Sequence, residues 1–170
     1  MEFFTGDLHI GDKDVIAYEH RPFESVKHMN RALIENWNNR VTPKDDGFIL
    51  GDIGDPRAIL ELHGKLTIVV GNHDDYDSLV KVASTRPEYT YISKYPIFHN
   101  NRILSHEPLG YLPPESVYLN IHAHLHKFNY GLLDRRWSAG NRYFCVSVEQ
   151  TNFAPIAIAE MSKVLDNYRI

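Results

Sequence analysis

The first half of the chain alternates short apolar runs with segments of helical periodicity. The runs EFFT, FIL (within Gly47 to Leu50) and KLTIVV predict three strands, the third of the continuous β-branched type found in buried strands. Apolar residues recur at helical spacing from Ser25 to about Arg40, which predicts an amphipathic helix capped by Ser25. These apolar positions are Val26, Met29, Leu33 and Trp37. RAILEL and DSLVKVA predict shorter helices, and this alternation is typical of a mainly parallel sheet covered by helices.

The second half has a different pattern. YPIFHNNRILSH predicts a hairpin that turns at Asn100 and Asn101, because asparagine tolerates a positive φ. VYLNIHA, RYFCVSVE and PIAIA predict further strands, and MSKVLDNY predicts a closing helix. Since these later strands carry antiparallel signals, we expect more than one sheet.

Composition narrows the class of protein. A length of 170 residues suits one domain spanning residues 1–170, since domains cluster at about 100–150 residues. No apolar run approaches the roughly 18 residues that cross a bilayer, and MEFFTGD lacks the basic region of a signal peptide. We therefore expect a cytoplasmic protein with no membrane partner. The net charge of −4 does not favour nucleic acid as a partner. The sequence does not indicate an oligomeric state.

Ligand-type side chains follow five of the predicted strands. They are Asp7 and His9, Asp52, the run Asn72-His73-Asp74, His106, and the alternating His122, His124 and His126. Each has an ordinary structural interpretation when taken alone, such as a turn cap, a left-handed turn position or the polar face of a strand. Together they indicate a binding site at one edge of the sheet.

Asp52 in LGDIGD is the least ordinary of these residues. Asp55 precedes Pro56 and can cap a short helix, but Asp52 directly follows a buried strand and has no such role. A bare buried carboxylate is costly, so Asp52 needs a cation, a hydrogen-bond network or water as its partner.

The ordered motifs resemble the calcineurin-like metallophosphoesterase family, and in particular its short, cap-less bacterial and phage members. The family signature D-x-H, GDxxD, GNH[DE], a later single His, and GHxH corresponds to DLH (7–9), GDIGD (51–55), GNHD (71–74), the His of SHEP (105–108), and AHLH (123–126). RPF and the late SVE also look like those short members. The resemblance implies an α/β fold with a two-sheet β-sandwich flanked by helices, in four α/β/β/α layers, and a dinuclear metal site.

The resemblance also implies a role for each motif residue. One metal ion would be held by Asp7, His9 and His126, and the second by Asn72, His106 and His124. Asp52 would bridge both ions. His73 would meet the scissile phosphate, with Asp74 orienting its ring.

The implied function is a metal-dependent phosphoesterase that hydrolyses phosphodiester or phosphomonoester bonds of a small substrate through a hydroxide activated by two metal ions. The mixed His, Asp and Asn ligands suit Mn, Fe, Ni or Zn better than Ca, and Mn is the first expectation on family grounds. The alternatives are a nuclease of the same fold or a catalytically silent protein-binding scaffold. A nuclease would use the local basic and aromatic set Lys127, Arg135, Arg136 and Trp137.

Four further residues are weaker candidates for the site. Arg21 and Arg102 could reach a substrate phosphate, and Asp55 and His122 could support the ligands from behind.

Ala123 stands where the family has glycine, so the turn either needs no positive φ or tolerates a small side chain under strain. HAHLH contains two overlapping H-x-H pairs, and strand alternation would send all three rings to one side. The family pattern selects His124 and His126.

Overall fold

Two β-sheets stacked face to face form the centre of the molecule. A computed structural model describes residues 1–113, 116–127 and 142–167. The strands are β1 (Glu2–Thr5), β2 (Asp46–Ile49), β3 (Lys65–Val69), β4 (Thr90–Ser93), β5 (Ile97–His99), β6 (Arg102–Leu104), β7 (Leu119–His122), β8 (Tyr143–Cys145) and β9 (Ile156–Ala157). The helices are α1 (Asp14–Tyr18), α2 (Val26–Asn38), α3 (Tyr76–Ala83) and α4 (Ile158–Asn167), with a 3-10 helix at Pro56–Leu60.

The first sheet has the strand order β4-β3-β2-β1-β9. Strands β1 to β4 are parallel, as the β-α-β pattern predicts, and β9 pairs antiparallel with β1. Strand β4 was not predicted from the sequence, because its side chains are half-buried or exposed at the edge of the sheet and make no apolar run. The three strands predicted in the first half of the chain therefore occupy the middle of this sheet, where burial is greatest.

The second sheet has the strand order β5-β6-β7-β8. Its hairpin is antiparallel and turns at Asn100, which has a φ of 52°. Strands β6, β7 and β8 are parallel, so the expectation from antiparallel signals is correct for the hairpin and for β9 and wrong for these three strands. Parallel pairing is possible here because long connections follow β6 and β7, whereas a tight turn would force antiparallel strands.

Alternation along each strand of the first sheet creates two hydrophobic cores. Phe3 faces the helices, where it joins the buried residues of α2, including Trp37. Phe4 faces the second sheet and stacks on Phe48 with ring centroids 4.7 Å apart. Helix α2 begins as predicted, with the Ser25 hydroxyl accepting the first-turn N–H of His28. Both faces of the first sheet are thus covered, which makes it the central layer.

The helices are distributed unevenly over the two sheets. Helix α2, the 3-10 helix and α3 pack on the first sheet, and α4 contacts β1 and β9. The fourth layer of the expected sandwich, a helical cover on the second sheet, has no counterpart in the ranges that the structure describes. Within the same ranges, no helix has the length and apolar content needed to traverse a bilayer.

The two sheets approach each other closely where β1 and β7 end. A β-carbon placed on Gly6, directly after β1, would lie 2.4 Å from the Ala123 β-carbon. Ala123 is fully buried and does not have a positive φ. The turn therefore needs no glycine at position 123, because Gly6 provides the space on the opposite side.

This contact predicts coupled effects of two substitutions. Gly6→Ala should lower the free energy of unfolding by about 1–3 kcal/mol, because the added methyl group would overlap with the Ala123 side chain between the two sheets. Adding Ala123→Gly should recover at least about 0.5 kcal/mol relative to the sum of the single effects. Urea unfolding of the wild type, both single variants and the double variant measures this coupling. Strict additivity would contradict the assigned contact.

Candidate metal centre

The predicted ligands converge at the carboxyl-terminal edge of the sheets, in the loops that follow the strands, and none of the seven lies on a strand itself. Five have left-handed backbone conformations: Asp7 (φ 56°), His9 (φ 50°), Asp52 (φ 54°), His124 (φ 68°) and His126 (φ 49°). Such conformations are costly for residues other than glycine, and they cluster at sites where the surroundings impose them. The concentration of strain in five of the seven predicted ligands marks this edge as a functional site.

The first ligand group consists of Asp7, His9 and His126. One ligand atom from each lies within 4.8 Å of the others, and the rings of His9 and His126 are 5.2 Å apart. Asp7 and His9 are buried. Asp7 Oδ1 and His9 Nε2 are buried without a hydrogen-bond partner, although buried polar atoms are normally satisfied. A cation is the partner that would satisfy both atoms.

The second ligand group consists of Asn72, His106 and His124. Asn72 Oδ1 lies 2.8 Å from His106 Nε2 and 3.1 Å from His124 Nδ1, and these two ring nitrogens are 3.1 Å apart. His106 Nδ1 lies 2.8 Å from the Leu50 carbonyl oxygen, so Nδ1 carries the proton and Nε2 presents a lone pair to the group. Two ring nitrogens and one amide oxygen thus point at one another.

Asp52 lies between the two ligand groups. Its Oδ2 atom is 3.5 Å from His9 Nε2 and 3.5 Å from His106 Nε2. Its Oδ1 atom accepts the backbone N–H of His73 at 2.9 Å. Asp7, Asp52 and His106 also offer ligand atoms within 4.8 Å of one another. Asp52 therefore lies within reach of both ligand groups.

Burial perturbs the acid–base properties of the ligands. Burial raises the pKa of Asp7 to about 6, although the charge of His126 acts in the opposite direction. Burial also lowers the pKa of His9 to about 4 and outweighs the nearby carboxylate of Asp52. Burial and then His106 lower the pKa of His124. His9 and His124 are therefore neutral at pH 7, which is the form that binds a metal ion.

His73 lies at the mouth of this cluster. Its side chain is exposed, and its ring centroid is 5.3 Å from that of His9 in an edge-on arrangement. The backbone N–H of His73 bonds to Asp52, which fixes the start of its side chain beside the ligands. The imidazole can therefore reach a molecule bound at the cluster from the solvent side.

Asp74 has a different role from the one predicted. Its carboxylate accepts the backbone N–H groups of Gly71, Asp52 and Ile53 at 2.9, 2.8 and 2.8 Å. These bonds join the loop after β2 to the loop after β3. The hydrogen-bond partners of this carboxylate are backbone donors and do not include the His73 ring, so Asp74 fixes the position of Asp52 and does not orient the ring of His73.

The two predicted substrate-binding arginines are both in structural contacts. The guanidinium of Arg21 is buried and donates to the carbonyl oxygens of Asp7 and Leu8. Arg102 starts β6 and pairs with Glu2, which starts β1, so it lies at the edge of the sheets away from the ligands. The expectation that these arginines contact a substrate phosphate is therefore wrong.

His122 lies outside both ligand groups. It is the last residue of β7, its Nδ1 atom is 2.9 Å from the Ala123 carbonyl oxygen, and burial lowers its pKa to about 4. Strand alternation does not continue beyond it, because His124 and His126 have positive φ values. The three rings therefore do not share one strand face, and the structure brings His124 and His126 to the cluster.

Asp55 acts as the predicted helix cap. Its side chain accepts the N–H of Arg57 at 3.0 Å and forms an ion pair with the Arg57 guanidinium, at the start of the 3-10 helix. These contacts with Arg57 leave Asp55 without a supporting role toward the ligands. The acidic residue beside the ligands is instead Asp12, which has an oxygen 3.8 Å from His9 Nδ1.

Two residues near the site were given no role in the sequence analysis. Glu149 Oε1 lies 3.0 Å from His126 Nδ1 and 2.7 Å from Arg21 Nη2. The Ser147 hydroxyl accepts the backbone N–H of His126 at 3.2 Å. Both residues belong to the SVE segment. The resemblance of that segment to short family members was the signal in the sequence that could have identified them.

The basic set expected of a nuclease is described only in part. Lys127 donates to the carbonyl oxygen of Tyr18 at 3.3 Å and lies 3.8 Å from Glu19. Arg135, Arg136 and Trp137 lie outside the described residues. The described basic residue is thus paired with an acidic neighbour.

Comparisons with known proteins agree with the fold and assign no activity. No protein-family model matches the chain. The chain is 29% identical over 184 residues to the uncharacterized protein MJ1445 of Methanocaldococcus jannaschii, covering 99% of this chain and 93% of that protein. It also resembles the crystal structure of the protein of unknown function AQ665 from Aquifex aeolicus, with a TM-score of 0.69, 23% identity, and 96% and 98% of the two chains covered. At this identity the likeness shows the fold alone, a mixed α/β arrangement.

The placement of the three histidines after β7 predicts different metal contents for two variants. His126→Ala should lose about one of two bound ions, because it removes a member of the first ligand group. His122→Ala should keep both ions, since its ring lies outside the groups. Elemental analysis of the purified variants after dialysis measures this. Two retained ions in His126→Ala, with one lost from His122→Ala, would show that the assigned register is wrong.

Proposed function

We propose that this protein is a metal-dependent phosphoesterase that hydrolyses phosphodiester or phosphomonoester bonds of small substrates. The observation that carries the proposal is the position of Asp52 Oδ2, 3.5 Å from a ring nitrogen in each of the two ligand groups. A buried carboxylate between two sets of nitrogen ligands is an arrangement that suits a pair of cations. The ordered motifs of the calcineurin-like metallophosphoesterases support the same proposal.

The donor chemistry fits two divalent ions. Asp7, His9 and His126 would hold one ion, Asn72, His106 and His124 the other, and Asp52 both. The unsatisfied atoms Asp7 Oδ1 and His9 Nε2 support this assignment, because a cation would remove the cost of burying them. Imidazole with carboxylate and amide oxygen favours Mn, Fe, Ni or Zn, and Mn remains our first choice. We also propose the metallophosphoesterase fold, on the basis of two stacked sheets with every motif loop at one edge.

A pair of divalent ions would neutralise charge on the phosphate and would lower the pKa of a bound water to about 7. The residues of the chain determine where these ions are held. Asp52 and Asp7 hold negative charge in fixed positions, so the ions are drawn to one place. Because the ions outweigh these two carboxylates, the site attracts an anionic ester without a basic protein surface. This agrees with the acidic composition of the chain.

His73 is the residue proposed to act on the substrate directly. It is exposed at the mouth of the cluster and held by its backbone bond to Asp52. A protonated imidazole there would donate to a phosphate oxygen or give its proton to the leaving alkoxide. Asp74 supports this indirectly, since it holds the loop from which His73 projects.

The nuclease and the protein-binding scaffold are the competing proposals. A nuclease would cleave single-stranded or duplex nucleic acid in preference to small esters. A scaffold would bind metal and show no hydrolysis with any ester. Every proposed ligand position and His73 are filled, which favours an enzyme over a scaffold. The pairing of Lys127 with an acidic neighbour favours small esters over nucleic acid.

The experiment is a substrate panel with matched variants. The wild type with Mn²⁺ should hydrolyse an aryl phosphate or an aryl phosphodiester, and a chelator should abolish the activity. His73→Asn should lower kcat by about 10²–10⁴-fold, while metal content stays unchanged. His63→Asn is the control, because this exposed histidine precedes β3 at the opposite end of the strand.

Three results would contradict the proposal. They are a verified two-metal preparation that is inert toward all small esters, hydrolysis that survives the chelator, and a clear preference for nucleic acid over the aryl esters.

A further inference from the structure

We propose that Arg21 and Glu149 are positioning residues for the first ligand group, and that this group therefore binds its ion before the second group does. The inference rests on the metal centre proposed above. It adds two residues that touch no ion themselves, and an order in which the two positions fill.

Glu149 fixes the orientation of His126. Glu149 Oε1 lies 3.0 Å from His126 Nδ1, and the Glu149 side chain is only 5% exposed. An ionised carboxylate can only accept, so His126 Nδ1 carries a proton and Nε2 is the nitrogen left to bind an ion. Metal-binding histidines commonly donate their second ring N–H to a carboxylate in this way, and the bond fixes the tautomer and the ring orientation.

Arg21 connects the remaining two ligands to the same carboxylate. Its Nε and Nη2 atoms donate to Glu149 Oε1 at 2.9 and 2.7 Å. Its Nη1 and Nη2 atoms also donate to the carbonyl oxygens of Leu8 and Asp7 at 2.9 and 2.6 Å. The guanidinium is planar and rigid, and the Arg21 side chain is fully buried. One ion pair therefore fixes the loop of Asp7 and His9 relative to His126.

The segment that carries Glu149 is itself attached to both loops. Val148 N–H donates to the Gly6 carbonyl oxygen at 3.1 Å, directly before Asp7. The hydroxyl of Ser147 accepts the backbone N–H of His126 at 3.2 Å. Glu149 thus sits on a backbone that cannot shift without moving the first ligand group as well.

Among the described residues, no carboxylate lies behind a ring nitrogen of the second ligand group, which is held through its backbone instead: Gly71 N–H donates to Asp74 and His124 N–H donates to Asp7. His106 is held by the Leu50 carbonyl oxygen, but Asn72 is exposed and His124 is half-buried. The side-chain contacts that the structure gives for Asn72 and His124 are with each other and with His106. Ligands that are fixed before binding lose less conformational freedom when the ion arrives, so the first group should bind more tightly.

Calorimetric titration of the metal-free protein with Mn²⁺ tests the role of Glu149. The wild type should bind two ions in two steps of unequal affinity. Glu149→Gln should weaken the tighter step by about 10–100-fold and leave the weaker step within about 3-fold. Mn²⁺ electron paramagnetic resonance at one equivalent gives an independent measure, because the free aquo ion should increase in the variant.

Two further variants separate positioning from general destabilisation. Arg21→Lys keeps the charge but loses the forked donors, so it should weaken the same step as Glu149→Gln. Glu160→Gln is the matched control, because it breaks the Arg40–Glu160 ion pair (2.5 Å) next to β9 without contacting a ligand. It should leave both steps unchanged. Thermal unfolding of each metal-free variant verifies that the proteins compared are folded.

The order of filling is also measurable without any variant. In ¹⁵N spectra of the imidazoles during a Zn²⁺ titration of the wild type, His9 and His126 should shift before His106 and His124. Equal weakening of both steps in Glu149→Gln, an unchanged tighter step, or simultaneous shifts of all four imidazoles would each overturn the inference. A wild type that binds two ions in this order but hydrolyses no ester would refute the proposed function alone. Failure to bind two ions would refute both.

Discussion

The burial of two carboxylates, Asp7 and Asp52, at the junction of the two sheets is the constraint on which the site depends. Asp7 is fully buried and Asp52 is 1% exposed. Backbone N–H groups satisfy part of each carboxylate, with His124 donating to Asp7 Oδ2 and His73 to Asp52 Oδ1. Asp7 Oδ1 has no hydrogen-bond partner. A cation would compensate the charge that these bonds leave unbalanced, which is the role of the two divalent ions that we propose.

The backbone around these carboxylates is arranged to hold them in place. A β-carbon on Gly71 would lie 2.1 Å from Asp52 Oδ1, and one on Gly51 would lie 2.4 Å from His106 Nδ1. Glycine is therefore required at both positions by close approach, and Gly51 additionally has a φ of +87°. The glycines of the GD and GN motifs leave the space in which the two loops meet, while Asp74 joins these loops through backbone amides.

Much of this arrangement was predictable from the sequence, for identifiable physical reasons. Strands β1, β2 and β3 are apolar runs because they are buried in the middle of a sheet, and Ser25 is recognisable as a cap because its bond to His28 is local. The residues that converge at the site were recognisable because they follow strands. The pairing of Arg21 with Glu149 was not, since a contact across 128 positions leaves no local pattern and a lone arginine is more often exposed. Edge strand β4 lacks the burial that produces a readable apolar run.

The proposed metal centre places one cation on either side of Asp52. Anomalous diffraction at the manganese edge, from crystals grown with excess Mn²⁺, measures this without reference to any substrate. We predict two peaks about 3.5–4 Å apart, one beside Asp7, His9 and His126 and one beside Asn72, His106 and His124, with an Asp52 oxygen between them. A single peak, or peaks that do not share Asp52, would contradict the account.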